Sequence, residues 1–199
     1  MGKEIEIKLA VPDEATLLQI LADASVGAAR SAPWQRIRME TTYLDTPARE
    51  LSARKWMLRR RMEDGEAVYT MKTPGNGYVR GEWASRRDAL PEAVQEMIRR
   101  GAPAALAELT AGGVEPVCGV RFTRQTAELS LPGGTRCFFC ADSGHFLGGA
   151  RRRPFYEVEL ELSAGTLSGV LPFAEALKER YGLREEEKSK FLRAAELTE

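Results

Sequence analysis

The sequence predicts an α+β protein: about eight antiparallel strands with helices packed outside them. Three observations carry that expectation. Stretches with two-residue alternation recur along most of the chain; Asp64-Gly65, Gly75-Asn76-Gly77 and Pro132-Gly133-Gly134 separate them as turns; and only a few stretches space their apolar residues as a helix does. At 199 residues the chain is expected to fold as one domain over 1–199, large enough to bury a core without disulfides.

Taken in order, EIEIKL sets Glu4, Glu6 and Lys8 on one strand face and Ile5, Ile7 and Leu9 on the other. A helix is expected next, started by Pro12 and Asp13 and stopped at Gly27. Two stretches, QRIRMETTYLDTP and KWMLRRRMEDGEAVYTMKTPGNGYVRGEWASRR, read as an antiparallel meander. Asp45 before Thr46-Pro47 reads as a turn-forming residue rather than a ligand. Leu90 to Thr110 reads as two short helices divided by Gly101 and Pro103. Strands resume through VCGVRFTRQTAELSL, TRCFFCADSGHF and RPFYEVELELSAG. A last amphipathic helix, VLPFAEALKERYG, precedes the polar run REEEKSK, which reads as solvated helix or loop around one functional lysine, Lys190.

Composition narrows the function classes. Lys+Arg and Asp+Glu both number 29, so no net field recommends nucleic acid or an anionic membrane as partner. No apolar run approaches the ~18 residues of a membrane span, and the charged N-terminus is unlike a signal peptide, so a cytoplasmic location is expected. Cys118, Cys137 and Cys140 read as buried free thiols. CFFC lies in a strand, and with His145 the only histidine a zinc site would lack ligands. Trp34, Trp56 and Trp83 are expected to pack or to line a rim.

The charges segregate by strand. Glu157, Glu159 and Glu161 share one face of YEVELEL, Arg59 and Arg61 one face of LRRR, Lys72 falls on the face of Thr70, and Arg80 pairs with Glu82. Alternate glutamates lie about 7 Å apart and repel by something over 2 kcal/mol at an effective dielectric near 20. Cations among them would relieve that repulsion. A closed barrel with its charged faces inward and its apolar faces under helices would supply them: the carboxylates suit Mg²⁺ or Mn²⁺, and the facing Arg and Lys suit a string of phosphates.

In that order and over essentially the whole chain, ExExK, YLDTP, LRRR, YTMKTPG, RGEW, ADSG, YEVELEL and a C-terminal SK resemble the CYTH domain, the triphosphate tunnel metalloenzymes. The resemblance implies an eight-stranded antiparallel β-barrel tunnel that binds a small-molecule triphosphate with a divalent metal, Mg²⁺ or Mn²⁺. It implies metal ligands at Glu4, Glu6, Glu157, Glu159 and Glu161. Phosphate contacts are implied at Lys8, Arg59, Arg61, Lys72, Arg80, Arg124 and Lys190, with Arg121 a companion of Arg124. Glu82 and Asp142 would orient these groups, and Glu6, Lys8, Lys72 and Arg59 would take part in the reaction. Two departures stand out: Arg60 makes a three-arginine run in which a one-residue slip would exchange the faces, and Ser163 stands where a lysine is expected.

The activity expected is metal-dependent hydrolysis of inorganic tripolyphosphate. Adenylate cyclase chemistry on ATP, hydrolysis of thiamine triphosphate, and a non-catalytic polyphosphate- or nucleotide-binding module remain alternatives.

Overall fold

The computed structural model describes residues 3–76 and 78–198, with the side chains of Lys3 and Glu4 outside that description. The described residues form nine strands: β1 (Lys3–Val11), β2 (Gln35–Asp45), β3 (Met57–Glu63), β4 (Glu66–Asn76), β5 (Val79–Ser85), β6 (Glu115–Leu131), β7 (Thr135–Gly148), β8 (Arg151–Ala164) and β9 (Arg184–Glu185). The helices are α1 (Glu14–Leu21), α2 (Ala24–Ala29), α3 (Glu50–Ala53), α4 (Leu90–Arg99), α5 (Ala105–Ala111), α6 (Leu167–Tyr181) and α7 (Lys190–Ala195).

The sheet order β5-β4-β3-β2-β6-β7-β8-β1 closes through antiparallel pairing of β5 with β1, so eight strands make a barrel and β9 lies outside it. One edge of β1 is shared: residues 3–5 take β5, while Leu9 and Ala10 take β9. Closure removes the exposed strand edges that would otherwise invite association.

The alternation read from the sequence places the apolar faces outside, under helices. Ile7 and Leu9 of β1 join Phe139, Val158 and Leu160 beneath Leu17 and Ile20 of α1, Val26 of α2 and Val170, Ala174 and Leu177 of α6. On the other flank Leu58 and Met71 pack beneath Leu51 of α3, Val94 and Met97 of α4 and Leu106 of α5. Ile5 is only half-buried, short of the burial that its place beside Ile7 predicts, because it sits where β1 meets β5 near the end of the seam.

The interior is not wholly charged. Tyr43, Val120, Phe122, Phe146 and Phe155 form a third cluster, covered by α7 through Ala194. Gly144 is required there, since a Cβ at that position would collide with the Arg121 carbonyl and with Phe122 on the paired strand.

The helix expected up to Gly27 is two helices. Asp23 ends the first run by capping α2: its carboxylate accepts from Ser25 N at 2.7 Å and Ser25 Oγ at 2.5 Å, and Gly27 lies inside α2. The same carboxylate receives Arg180 Nη1 at 2.5 Å and Tyr181 Oη at 2.7 Å, tying α2 to the end of α6. Asp45 is turn-forming, as its sequence context indicates, and does more. Almost fully buried, it accepts from Thr46 N at 2.7 Å, Leu51 N at 2.9 Å and Ser52 N at 3.1 Å, holding α3 and the entry to β3. The three cysteines are free and buried, and Trp34, Trp56 and Trp83 pack at the edges of the outer clusters. Among the described residues no helix is long and apolar enough to cross a membrane.

Asp23 gives a test of this packing. Burial raises its pKa, but Ser25, Arg180 and Tyr181 outweigh burial and hold the carboxyl well below the ordinary value. A depressed carboxyl contributes stability above its unfolded value, about 3.9, and that contribution is lost as pH falls through the folded value. Urea unfolding over a pH series should therefore find wild type more stable than Asp23→Asn at pH 7. The gap should close as pH falls below about 4; a gap independent of pH would exclude the ionised cap.

Candidate active site

Alternation on eight strands brings the inward charges together. Glu6 and Lys8 of β1, Arg59 and Arg61 of β3, Lys72 of β4, Arg80 of β5, Arg124 of β6, Glu159 and Glu161 of β8 and Lys190 of α7 line one narrow cavity of about 50 Å³. Glu82 lines the chamber beside it. Asp142 and Glu157, fully buried, stand behind the cavity wall. The β3 strand is regular, pairing Arg59 with Thr70 and Arg61 with Val68, so Arg60 faces out and the expected pair faces in. Glu4 pairs with Arg80 along the backbone, and its side chain lies outside the described residues. Arg121 does not join the site. It falls on the opposite face of β6 from Arg124 and is exposed, with Nε on Glu40 Oε1 at 2.9 Å.

The acidic side is built around two cations. Arg124 grips Asp142 with Nε at 2.7 Å and Nη2 at 2.8 Å, reaches Glu161 with Nη1 at 3.2 Å, and also contacts Glu159. The Lys190 ammonium lies 2.8 Å from both Asp142 and Glu159 and against Glu157. Burial alone would lower the Lys190 pKa, but Asp142, Glu157 and Glu159 outweigh it and hold the value above the ordinary one. Burial likewise raises Glu159 and Asp142, yet Lys190 and Arg124 outweigh it; both carboxyls stay ionised, Glu159 well below its usual range.

Among the described residues, Arg59 and Arg61 of β3 have no carboxylate within 3.5 Å. Arg61 is brought down to about 10 by burial, then by Arg59 and Arg124 beside it. Its Nε donates to Thr41 Oγ1 at 3.1 Å, and its Nη1 lies 3.8 Å from the Glu63 carboxylate. Arg59 lies 3.7 Å and Lys72 3.3 Å from Glu82, and Arg59 Nε is buried with no hydrogen-bond partner among the described residues. Burial also lowers Lys8, against the pull of Glu159 and Glu157. Arg80 and Lys8 both meet Glu6, Lys8 at 3.7 Å.

Among the described residues, two groups of carboxylates have the spacing to hold a metal ion: Glu6, Glu159 and Glu161, and Asp142, Glu157 and Glu159, with their oxygens within 4.8 Å of one another in each group. An all-oxygen set suits a hard divalent cation. The first group faces the cavity. In the second, the Lys190 ammonium already lies among the three carboxylates.

Arg193, three residues beyond the run REEEKSK, was not anticipated from the sequence. It is buried, binds Glu157 Oε2 through Nη2 and approaches Glu186 at 3.5 Å. Its guanidinium lies 4.7 Å from the Phe146 ring, as Lys190 Nζ lies 5.2 Å from Phe122, so aromatic faces carry both cations. The available signal was spacing: Lys190 and Arg193 are three apart on one helix face, and Ser189 caps that helix at Leu192 N, 3.2 Å.

The chain matches the CYTH domain over residues 2–195. It belongs to the CYTH domain family. An inorganic triphosphatase of Haemophilus influenzae is 29% identical over 187 residues, covering 89% of this chain and 50% of that protein. The CYTH chain thus spans about half the length of that curated relative. Among solved structures, a Hippeastrum protein described as an adenylyl cyclase with a dominant triphosphatase activity superposes with a TM-score of 0.67 at 18% identity, covering 98% of this chain and 97% of its own. A Bacillus halodurans protein assigned as an adenylate cyclase gives 0.60 at 18% identity, with 95% and 96% covered. At these identities the two structures speak for the fold of the CYTH barrel alone.

Removing one member of a buried ion pair strands the other, which typically costs about 3–5 kcal/mol. Arg193→Met should therefore lower the unfolding free energy by roughly 3 kcal/mol, and adding Glu157→Gln should recover much of it. A loss below about 1 kcal/mol in urea titrations, the size seen for exposed pairs, would mean the pair is solvated.

Proposed function

We propose that the chain, acting as one domain over 1–199, hydrolyses inorganic tripolyphosphate with the help of Mg²⁺ or Mn²⁺. The observation that carries this reading is the crowding of Arg59, Arg61 and Arg124 in one cavity, with a buried Arg59 Nε lacking a partner, opposite the carboxylates Glu6, Glu159 and Glu161. Buried donors without partners call for an anion. The Haemophilus influenzae relative, named an inorganic triphosphatase, supports the same substrate.

Glu6, Glu159 and Glu161 would hold the divalent ion, with Glu4 beside them on β1. Such an ion supplies Lewis-acid charge to phosphate oxygens and lowers the pKa of bound water. Glu157 is better suited to holding Lys190 and Arg193 than to binding metal, and the Lys190 ammonium does the neutralising work of a second cation. Arg59, Arg61, Lys72 and Arg124 hold the phosphate chain in line and offset the charge that grows on the leaving phosphate. Lys8 and Arg80, which meet Glu6, would serve phosphate where that carboxylate holds the metal. Glu82 orients Arg59 and Lys72, and Asp142 fixes the plane of the Arg124 guanidinium.

A second reading has its own observation. A chamber of about 540 Å³ lined by Trp56, Met57, Pro74, Val79 and Phe191 adjoins the cavity through Lys72 and Arg80. Its apolar wall suits the organic end of ATP or thiamine triphosphate. Phosphate release from all three substrates, with Mg²⁺, Mn²⁺ or EDTA and with cyclic AMP measured in the ATP reaction, separates the readings. Release fastest from tripolyphosphate and lost in Glu6→Gln is the expected result; cyclic AMP without phosphate would mark a cyclase, and no turnover a binding module. Lys72→Met should lower kcat by about 10²–10³, the usual loss for one preorganised donor.

Metal and tripolyphosphate should also bind cooperatively. Phosphate alone would draw Arg124 from Glu159 and Glu161 and leave those carboxylates without their cation; metal alone would do the converse. Calorimetry in both orders, corrected for the affinity of the two ligands for each other in free solution, should show each tightening the other by the same factor, of order 5–150. Independent binding would contradict the exchange of partners.

A further inference from the structure

Two chambers share walls with the cavity. One is the Trp56 chamber; Arg59, Arg61, Arg124 and Glu161 of the cavity wall also line the other, of about 550 Å³. Its outer wall carries Arg86, Arg87 and Arg100, and its lining sets six guanidiniums against four carboxylates with no aromatic side chain among the described residues.

The rim arginines are held in place. Glu96 accepts Arg87 Nε at 2.9 Å and Ser85 Oγ at 2.8 Å and also binds the Arg100 guanidinium, whose Nη1 donates to the Ala84 carbonyl at 2.9 Å. Glu63 takes Arg86 Nη2 at 3.1 Å and lies 3.8 Å from Arg61, so one carboxylate connects the rim to the cavity floor. The result is a cationic path from Arg61 and Arg59 outward, with guanidiniums that need little ordering to meet an anion. A nucleoside would find no aromatic face to stack on here, where Met39, Val68 and Ala84 are the apolar lining; a thin chain carrying charge on every unit fits the path.

We propose that this chamber is a second phosphate subsite, and that the protein accepts linear polyphosphates longer than three units, whose additional phosphates seat against Arg86, Arg87 and Arg100. This rests on the triphosphate reading of the inner cavity. In the reaction, the water oxygen bonds to a phosphorus held in the inner cavity. The bridging P–O bond breaks with its electron pair staying on the shortened chain, and the water's protons go to the two phosphate products and solvent. The rim selects chain length and takes no part in that step.

The test compares tripolyphosphate with tetrapolyphosphate in wild type and in Arg86→Gln/Arg87→Gln/Arg100→Gln. The exposed ion pairs lost contribute little to stability, so this variant should fold, with an unchanged thermal midpoint as the check. The expected result is a roughly tenfold lower kcat/KM for tetrapolyphosphate, the order of one charge-assisted contact, against less than about twofold for tripolyphosphate. The difference should shrink at 0.5 M salt, since exposed charges are screened. Equal effects on both substrates, or none, would overturn the subsite. Calorimetric titration of tetrapolyphosphate separates the two readings: if wild type turns over neither substrate but binds tetrapolyphosphate more tightly than the variant, the inner reaction is refuted and the subsite stands. If the two proteins also bind it equally, the subsite is refuted as well.

Discussion

The site depends on one buried ammonium. Lys190 Nζ sits among Asp142, Glu157 and Glu159, and its charge offsets the crowding of three carboxylates at the cavity wall. Those carboxylates come from neighbouring strands, β7 and β8, where backbone pairing sets their positions opposite each other: Asp142 pairs with Glu157, and Cys140 with Glu159. Lys190 comes from α7, far along the chain. The contact therefore does two things at once: it neutralises the acidic wall and docks α7 over the aromatic cluster of Phe122, Phe146 and Phe155. Arg193 completes the arrangement from the next turn of the same helix.

Burying like charges in one barrel makes sense only if the imbalance has a use. On the acidic side Lys190, Arg124 and Arg193 offset most of the charge of Asp142, Glu157, Glu159 and Glu161. On the basic side Arg59 and Arg61 meet Glu82 and Glu63 only at 3.7 Å and 3.8 Å, beyond hydrogen-bond reach. Among the described residues the deficit of anions is thus local to Arg59 and Arg61, and it lies opposite Glu6, Glu159 and Glu161, which face the cavity. A metal–phosphate complex presents cation and anion on its two sides, which is the complement of that pattern.

How far this was legible in the sequence follows from the range of each interaction. Two-residue alternation is local, and it assigned faces correctly on β1, β3 and β8, including Arg59 and Arg61 around an outward Arg60. The same rule sets Arg121 apart from Arg124, three positions away on opposite faces, so grouping them by motif contradicted the strand period. The helix through Gly27 failed for a different reason. Gly27 has a helical conformation and open space around it, while the true break is at Asp23, whose carboxylate is claimed by Arg180 and Tyr181 from the far end of the chain. Arg193 was hidden in the same way: nothing local in FLRAAEL distinguishes a charge facing a barrel from one facing water. Long-range partners decide such cases, and a single sequence does not display them.

The inverted barrel also accounts for where the helices lie. With charge inside, the apolar faces of β1, β7 and β8 on one flank and of β3 and β4 on the other must be covered from outside, by α1, α2 and α6 and by α3, α4 and α5 respectively. Residues that serve as core elsewhere are here the outer lining. The second flank carries a functional cost and opportunity together, because α4 and the segment before it bring Arg86, Arg87, Glu96 and Arg100 to the rim of the barrel. The helix that seals the apolar face thereby sets the charge of one opening, while α7, which seals the aromatic interior, contributes Phe191 to the other. The chemistry of each opening thus comes from the packing of a nearby helix, so the two can differ while the charged strands between them stay the same.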